Sequence, residues 1–239
     1  VHRVKSKGQF PLEFLKDELL ARINNRERSQ TRKNHSATHL LQAALIQILG
    51  DHISQSGSHV GPDSLRFDFT HFKALSYEET ENVENLVNQW IWDNIPVTTE
   101  IKAYDEAKKE GATALFGEKY GEMVRVVSMG SISKELCGGT HVSRTGSIGL
   151  VHIVSESSIS SGIRRIEAVV GIRCITYFRR KEGIINQLTD ILKINDEYIV
   201  QRIEEIIKRS KSLEHELSNI AQADITGQVK KIIEETKKH

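Results

Sequence analysis

Two short motifs, His35-x-x-x-His39 and Cys137-Gly-Gly-Thr-His141, restrict this chain more than any other feature. The first lies in NHSATHLLQAALIQILG, where Ala37, Leu40, Leu41, Ala44, Leu45 and Ile48 recur at helical spacing and Gly50 supplies a stop signal. Residues four apart share a helix face, so both imidazoles reach one point. In the second motif, two glycines are expected to let the backbone turn tightly enough for the thiol and the imidazole to face a common point. Three imidazoles and a thiolate form a borderline-soft nitrogen and sulfur set that suits tetrahedral Zn²⁺. A fold that uses both pairs must bring a helix from the early part of the chain against a turn from the later part. The competing reading is a closed structural site, in which four protein ligands hold helix to sheet and leave no position for water.

The rest of the pattern fits an α+β domain with a mixed or antiparallel sheet. Asn34 and Ser36 are candidate caps for the first helix. A second helix is expected from Tyr77 to Ile95, capped by Ser76 and ended by Pro96. Strand-like segments run from Ser64 to Phe69, Val97 to Ala103, Met123 to Met129, Gly149 to Ser155 and Ile163 to Val170. Their irregular order with the helices argues against a parallel βαβ array. Beyond Gly171 the strand patterns vanish. Ile199, Ile203, Ile206, Ser210, Leu213, Leu217 and Ile220 step alternately by four and three, a heptad seam that Asn195 or Asp196 would cap. Ile175, Phe178, Ile184, Leu188, Ile191 and Leu192 are expected to form its antiparallel partner, and self-association through these helices is the other way to cover the seam. The organisation expected is a connector over 1–30, a zinc-containing domain over 31–171 and a helical hairpin or coiled coil over 172–239.

Two cysteines, Cys137 and Cys174, are too few for a disulfide framework and point to a reducing, cytoplasmic setting. No apolar run approaches the ~20 residues of a membrane helix, and the amino end lacks the apolar core of a secretory signal. The chain begins with Val and reads as a segment of a longer protein. A net charge of +1 does not advertise a nucleic-acid partner, although Arg26, Arg28, Arg32 and Lys33, then Arg164 and Arg165, then Arg179, Arg180 and Lys181 form local basic clusters.

HSATHLLQAAL with LCGGTH, followed in order by SQSGSHV, LRFDF, GATALFGEKYG, VRVVSMG and SSISSGIRRIEAVVG, resembles the editing domain of alanyl-tRNA synthetases, also found in free-standing editing proteins. The threonyl-tRNA synthetase editing domain pairs similar histidine and cysteine motifs, but CGGTH and GIRRIEAVVG look like the alanyl branch. The resemblance spans about residues 30–171, and the helical tail resembles the linker that follows editing in the synthetase. It implies hydrolysis of serine or glycine from the 3′ end of mischarged alanine tRNA, with His35, His39, Cys137 and His141 as zinc ligands and Cys137 counted among the catalytic residues. Thr38 and Gln55 would line the amino-acid pocket, and Arg164 and Arg165 would meet the RNA backbone. The plainer readings are a Thr38 hydroxyl bonded back to a helix carbonyl and a solvated Gln55 amide. No stretch resembles the ATP-binding aminoacylation domain, so the chain is not expected to activate alanine. The rival reading is a free-standing editing protein or a non-catalytic, zinc-stabilised tRNA-binding module.

Overall fold

A computed structural model describes residues 22–114 and 120–236. Most of the connector expected over 1–30 and the centre of GATALFGEKYG lie outside the described residues. The chain divides into two compact units that part between Thr176 and Tyr177.

The first unit is α+β. Helix α1 spans Asn25–Leu49 and starts well before the expected caps: the Asn24 side chain accepts from the backbone N–H groups of Arg26 and Glu27. Its polar first turns are mostly exposed, so hydrophobic periodicity does not mark them. Asn34 and Ser36 therefore sit mid-helix, fully buried. Strands β1 (Gln55–Val60) and β2 (Leu65–Thr70) pair antiparallel, and α2 (Tyr77–Trp92) follows behind a Ser76/Glu79 capping box. This helix stops at Trp92 rather than Ile95, because Asn94 takes a left-handed backbone (φ 51) and the Ile95 N–H donates to Thr145 Oγ1 at 2.8 Å.

Next come β3 (Val97–Ala103), α3 (Tyr104–Lys109), β4 (Met123–Met129) and β5 (Ser133–Leu136), then β6 (Val151–Ser160) and β7 (Ile163–Val170). They make two antiparallel sheets, one ordered β1-β2-β7-β6 and the other β3-β4-β5. The main core packs Leu40, Leu41 and Leu45 of α1 and Val83, Val87 and Ile91 of α2 against Phe67, Phe69 and Ile166 of the larger sheet. At ~1.5–3 kcal/mol for each large side chain, this burial is what holds α1 in place. Asn88 of α2 ties down the start of β6: its amide donates to the Val151 carbonyl at 2.9 Å and accepts from the Val151 N–H at 2.9 Å, satisfying groups that an edge would leave open.

Strand β4 is buried on both faces, and this positions the site. Val124 and Val126 join Ala107, Ala112 and Leu136 in a small second core, whereas Met129 belongs to the main core. Alternation puts Arg125, Val127 and Met129 on the main-core face. Val127 opposes Glu135 in β5, so Ser133 and Glu135 share that face, and the next residue in the alternation is Cys137.

Helix α4 (Ile172–Leu192) starts in the first unit, and α5 (Ile199–Thr236) lies in the second. Helices thus occupy the C-terminal region as expected. Only Ile199 of the heptad seam is buried; Ile203, Ile206, Leu213 and Leu217 remain exposed in the single chain. No described helix is long and apolar enough to cross a membrane.

Candidate metal centre

Helix α1 delivers His35 and His39 from successive turns, and the loop after β5 delivers Cys137 and His141. One ligand atom from each of the four lies within 4.8 Å of the others. The Cys137 sulfur is 3.5 Å from His35 Nε2 and 3.4 Å from His141 Nε2. The His35 and His141 rings have centroids 4.3 Å apart. Only one glycine of the CGGTH turn is sterically required. A Cβ on Gly139 would fall 1.9 Å from His35 Cε1, whereas one on Gly138 meets nothing. Gly139 is therefore the floor on which the His35 ring rests.

The cluster has a second layer. Glu135 Oε2 takes His39 Nδ1 at 2.8 Å, and Ser133 Oγ donates to Glu135 Oε1 at 2.8 Å. With Nδ1 so engaged, His39 Nε2 is turned inward, buried and without a partner. Ser36 Oγ lies 3.2 Å from His141 Nδ1 and accepts from the Val142 N–H at 3.1 Å, which leaves His141 Nε2 facing the sulfur. The Arg125 guanidinium donates to the carbonyls of Cys137, at 2.8 Å, and Gly139, pinning the ligand loop.

These contacts set the charge of the site. Burial alone would push His39 down, but the neighbouring Cys137 sulfur and the Glu135 carboxylate hold it up at about 9. Burial would raise the Cys137 thiol, but hydrogen bonds from His141 and His35, with the His39 ring close by, bring it down to about 3. Burial, opposed by the hydrogen bond to Cys137, pushes His141 down. A thiolate thus faces the centre while the Glu135 carboxylate backs His39 from behind, and a cation at the centre balances this negative charge. The orphaned His39 Nε2, the convergent donors and the nitrogen and sulfur chemistry all fit a bound metal ion.

Thr38 precedes His39 on α1, 5 % exposed, and its hydroxyl donates to the Asn34 carbonyl at 2.9 Å. The Asn34 side chain donates to the Gly61 carbonyl and keeps a buried, unpartnered Oδ1. Gln55 opens β1, half-buried opposite Phe69, and takes no part in the hydrogen bonds of the four-residue cluster. Arg164 and Arg165 fall on opposite faces of β7, each on a carboxylate. Arg164 holds Glu156 through two nitrogens, and Arg165 holds Asp68 at 2.7 and 2.9 Å. Glu135, Ser133, Ser36 and Arg125 are site residues that sequence reasoning missed. An alternating Ser133-x-Glu135-x-Cys137 was the available signal, had β5 been recognised as a strand.

Residues 124–167 match the family model described as the threonyl and alanyl tRNA synthetase second additional domain. The chain is 50 % identical over 224 residues to the alanine-tRNA ligase of Thermotoga petrophila, covering 91 % of this chain and 25 % of that protein. It is 48 % identical over 220 residues to the Fervidobacterium nodosum ligase (92 % and 25 %) and 49 % identical over 206 residues to that of Halorhodospira halophila (86 % and 24 %). The chain spans about a quarter of the length of these curated relatives. By these sequence similarities the chain belongs to the alanyl-tRNA synthetase family, in the stretch carrying the domain that alanyl and threonyl synthetases share.

Proposed function

We propose that the chain is a zinc-dependent editing module that hydrolyses serine or glycine from the 3′ end of mischarged alanine tRNA. The observation that carries this reading is the convergence of His35, His39, Cys137 and His141 beside Thr38. The need follows from recognition limits: a pocket sized for alanine cannot exclude glycine by size, and it rejects one added hydroxyl only weakly. A second site must read what alanine lacks.

The four ligands would hold Zn²⁺, and Glu135 would fix the His39 tautomer. When bound, the ion supplies a fixed positive charge and Lewis acidity. The chain's own groups orient the substrate. The Thr38 proton is committed to the Asn34 carbonyl, so the hydroxyl offers lone pairs and accepts from a serine side chain. Gln55 contributes an amide to the amino-acid pocket. An ordered water attacks the acyl carbon; the acyl–oxygen bond to the ribose breaks, hydroxide stays on the amino acid and the proton leaves on the ribose oxygen. Arg164 and Arg165 would contact the sugar–phosphate backbone by exchanging their carboxylate partners for phosphate. Self-association runs through the exposed Ile203, Ile206, Leu213 and Leu217, and the setting is cytoplasmic.

A second reading, a non-catalytic zinc-stabilised RNA-binding module, is favoured by the four-ligand set, which leaves no open tetrahedral position. Single-turnover deacylation separates the two. Serine-charged alanine tRNA should be cleared much faster than the alanine-charged form, and equal rates would refute editing.

Glu135 gives a further test of the metal reading. Glu135→Ala removes the carboxylate that turns His39 inward, so zinc affinity should fall ~10–100-fold while the fold persists. Competition with a chromophoric chelator measures this. Unchanged affinity would mean that Glu135 does not orient His39.

A further inference from the structure

We propose that the cleft flanking His141 receives the phosphodiesters of the single-stranded 3′ end of the RNA and that Arg32 and Lys33 are its phosphate contacts. The inference rests on the tRNA reading above and adds the path by which that RNA reaches the metal centre.

The cleft has a volume of about 430 Å³ and runs between the exposed side of α1 and the start of β3. Arg32 and Lys33 line it from α1, Thr99 from β3, Arg125 from β4, and His141, a ligand residue, forms part of its wall. No acidic side chain lines it. Arg125 also spends its guanidinium on the carbonyls of the ligand loop, so it brings positive charge but is held in place. Among the described residues, Arg32 and Lys33 form no ion pair. Arg164 and Arg165, in contrast, are each neutralised by a carboxylate.

Unpaired cations converging on a groove attract a polyanion, because counterions are released when phosphate replaces them. A second cleft, of about 480 Å³, adjoins the first through Ser29 and Lys33 and adds Arg26 and Arg173, although Arg173 is already paired with Asp63 and Glu27 also lines this part. The two clefts make a track that passes Lys33 and reaches His141. Only a single strand suits such a track, since a terminal ester must arrive at its inner end while the preceding phosphates lie along the basic wall. The chain's net charge of +1 hides this, because the charge is concentrated locally.

The test uses the full zinc-loaded chain and two short RNA hairpins, one with a four-nucleotide 3′ overhang ending in CCA and one blunt. Each phosphate contact on a single strand contributes a slope of about 0.7 in log affinity against log salt. Arg32→Gln/Lys33→Gln should therefore lower the slope for the overhang hairpin by ~1.4 and weaken binding ~25-fold at ~0.1 M salt, with zinc content unchanged. Binding of the blunt hairpin should not respond to the substitutions. Neither side chain is in an ion pair or the core, so the variant keeps the fold. An unchanged affinity and slope would overturn the proposal, as would an equal loss for both hairpins, which would place the contacts on the duplex. Hydrolysis of seryl-adenosine by the wild type decides the deacylase reading separately. A wild type inactive on that ester but selective for the overhang would refute editing and leave the cleft assignment standing.

Discussion

Cys137→Ala should strip the centre of most of its metal affinity. The sulfur is the only anionic ligand of the four, and it sits between His35 and His141. Apparent zinc binding in small structural sites is ~10–16 kcal/mol, so losing one ligand of four removes roughly 2.5–4 kcal/mol, a ~100- to ~1000-fold drop in affinity. Stability should follow, because the ligand pairs are separated by 102 residues, from His35 to Cys137, and a bound ion closes that loop. Chelation of the wild type should lower the unfolding temperature, and the same chelator should change Cys137→Ala far less. Elemental analysis with thermal unfolding reads both effects. Full zinc occupancy in a Cys137→Ala/His141→Ala double variant, or no metal in wild type prepared without chelator, would remove the assignment.

The four candidate ligands were legible because each pair obeys a local rule: a helical i, i+4 step, and a short turn around glycine. What turns each imidazole was not, because those partners arrive from distant elements. Ser36 reaches His141 across 105 residues, and Glu135 reaches the helical His39 from strand β5. In the sequence Ser36 carries the signature of a helix cap, since a serine before an apolar helical run looks the same whether or not the helix starts earlier, as it does here at Asn25. The missing signal was the polar stretch from Asn25 to Lys33, which is helical although it buries little.

Strands were found where branched or apolar residues alternate, as in β3, β4 and β7. Strand β1, Gln-Ser-Gly-Ser-His-Val, lacks that composition and is held as an edge by its pairing with β2. Strand β5 is four residues long and ends at the ligand loop. Both elements next to proposed site residues were thus the weakest in propensity. The heptad pattern in α5 correctly marked a helix, but periodicity alone does not say what covers a seam, and in the single chain most of it is open.

Thr38→Val should erode the preference for serine-charged over alanine-charged tRNA while leaving the metal bound. Valine is nearly isosteric with threonine, so the buried position on α1 stays filled. The cost to the fold is the bond to the Asn34 carbonyl, ~1 kcal/mol, and that carbonyl keeps its helical partner. What the variant loses is an acceptor beside the ligand cluster. In the wild type a serine hydroxyl can donate to Thr38, whereas an alanine methyl leaves the lone pairs of that oxygen without a donor, a difference of ~1–3 kcal/mol or ~5- to 150-fold in rate. With valine the difference disappears, so the ratio of serine to alanine deacylation should fall by that factor. Glycine offers no hydroxyl, so its hydrolysis relative to alanine should change much less. Thr38→Ser restores the oxygen and should restore the ratio, which separates a lost hydrogen bond from a disturbed pocket. Single-turnover deacylation of serine-, glycine- and alanine-charged tRNA by the three proteins, each checked for zinc, makes the comparison. A serine-to-alanine ratio unchanged in Thr38→Val would take Thr38 out of the reading role and leave the buried, unpartnered Asn34 Oδ1, one turn away, as the next acceptor to test.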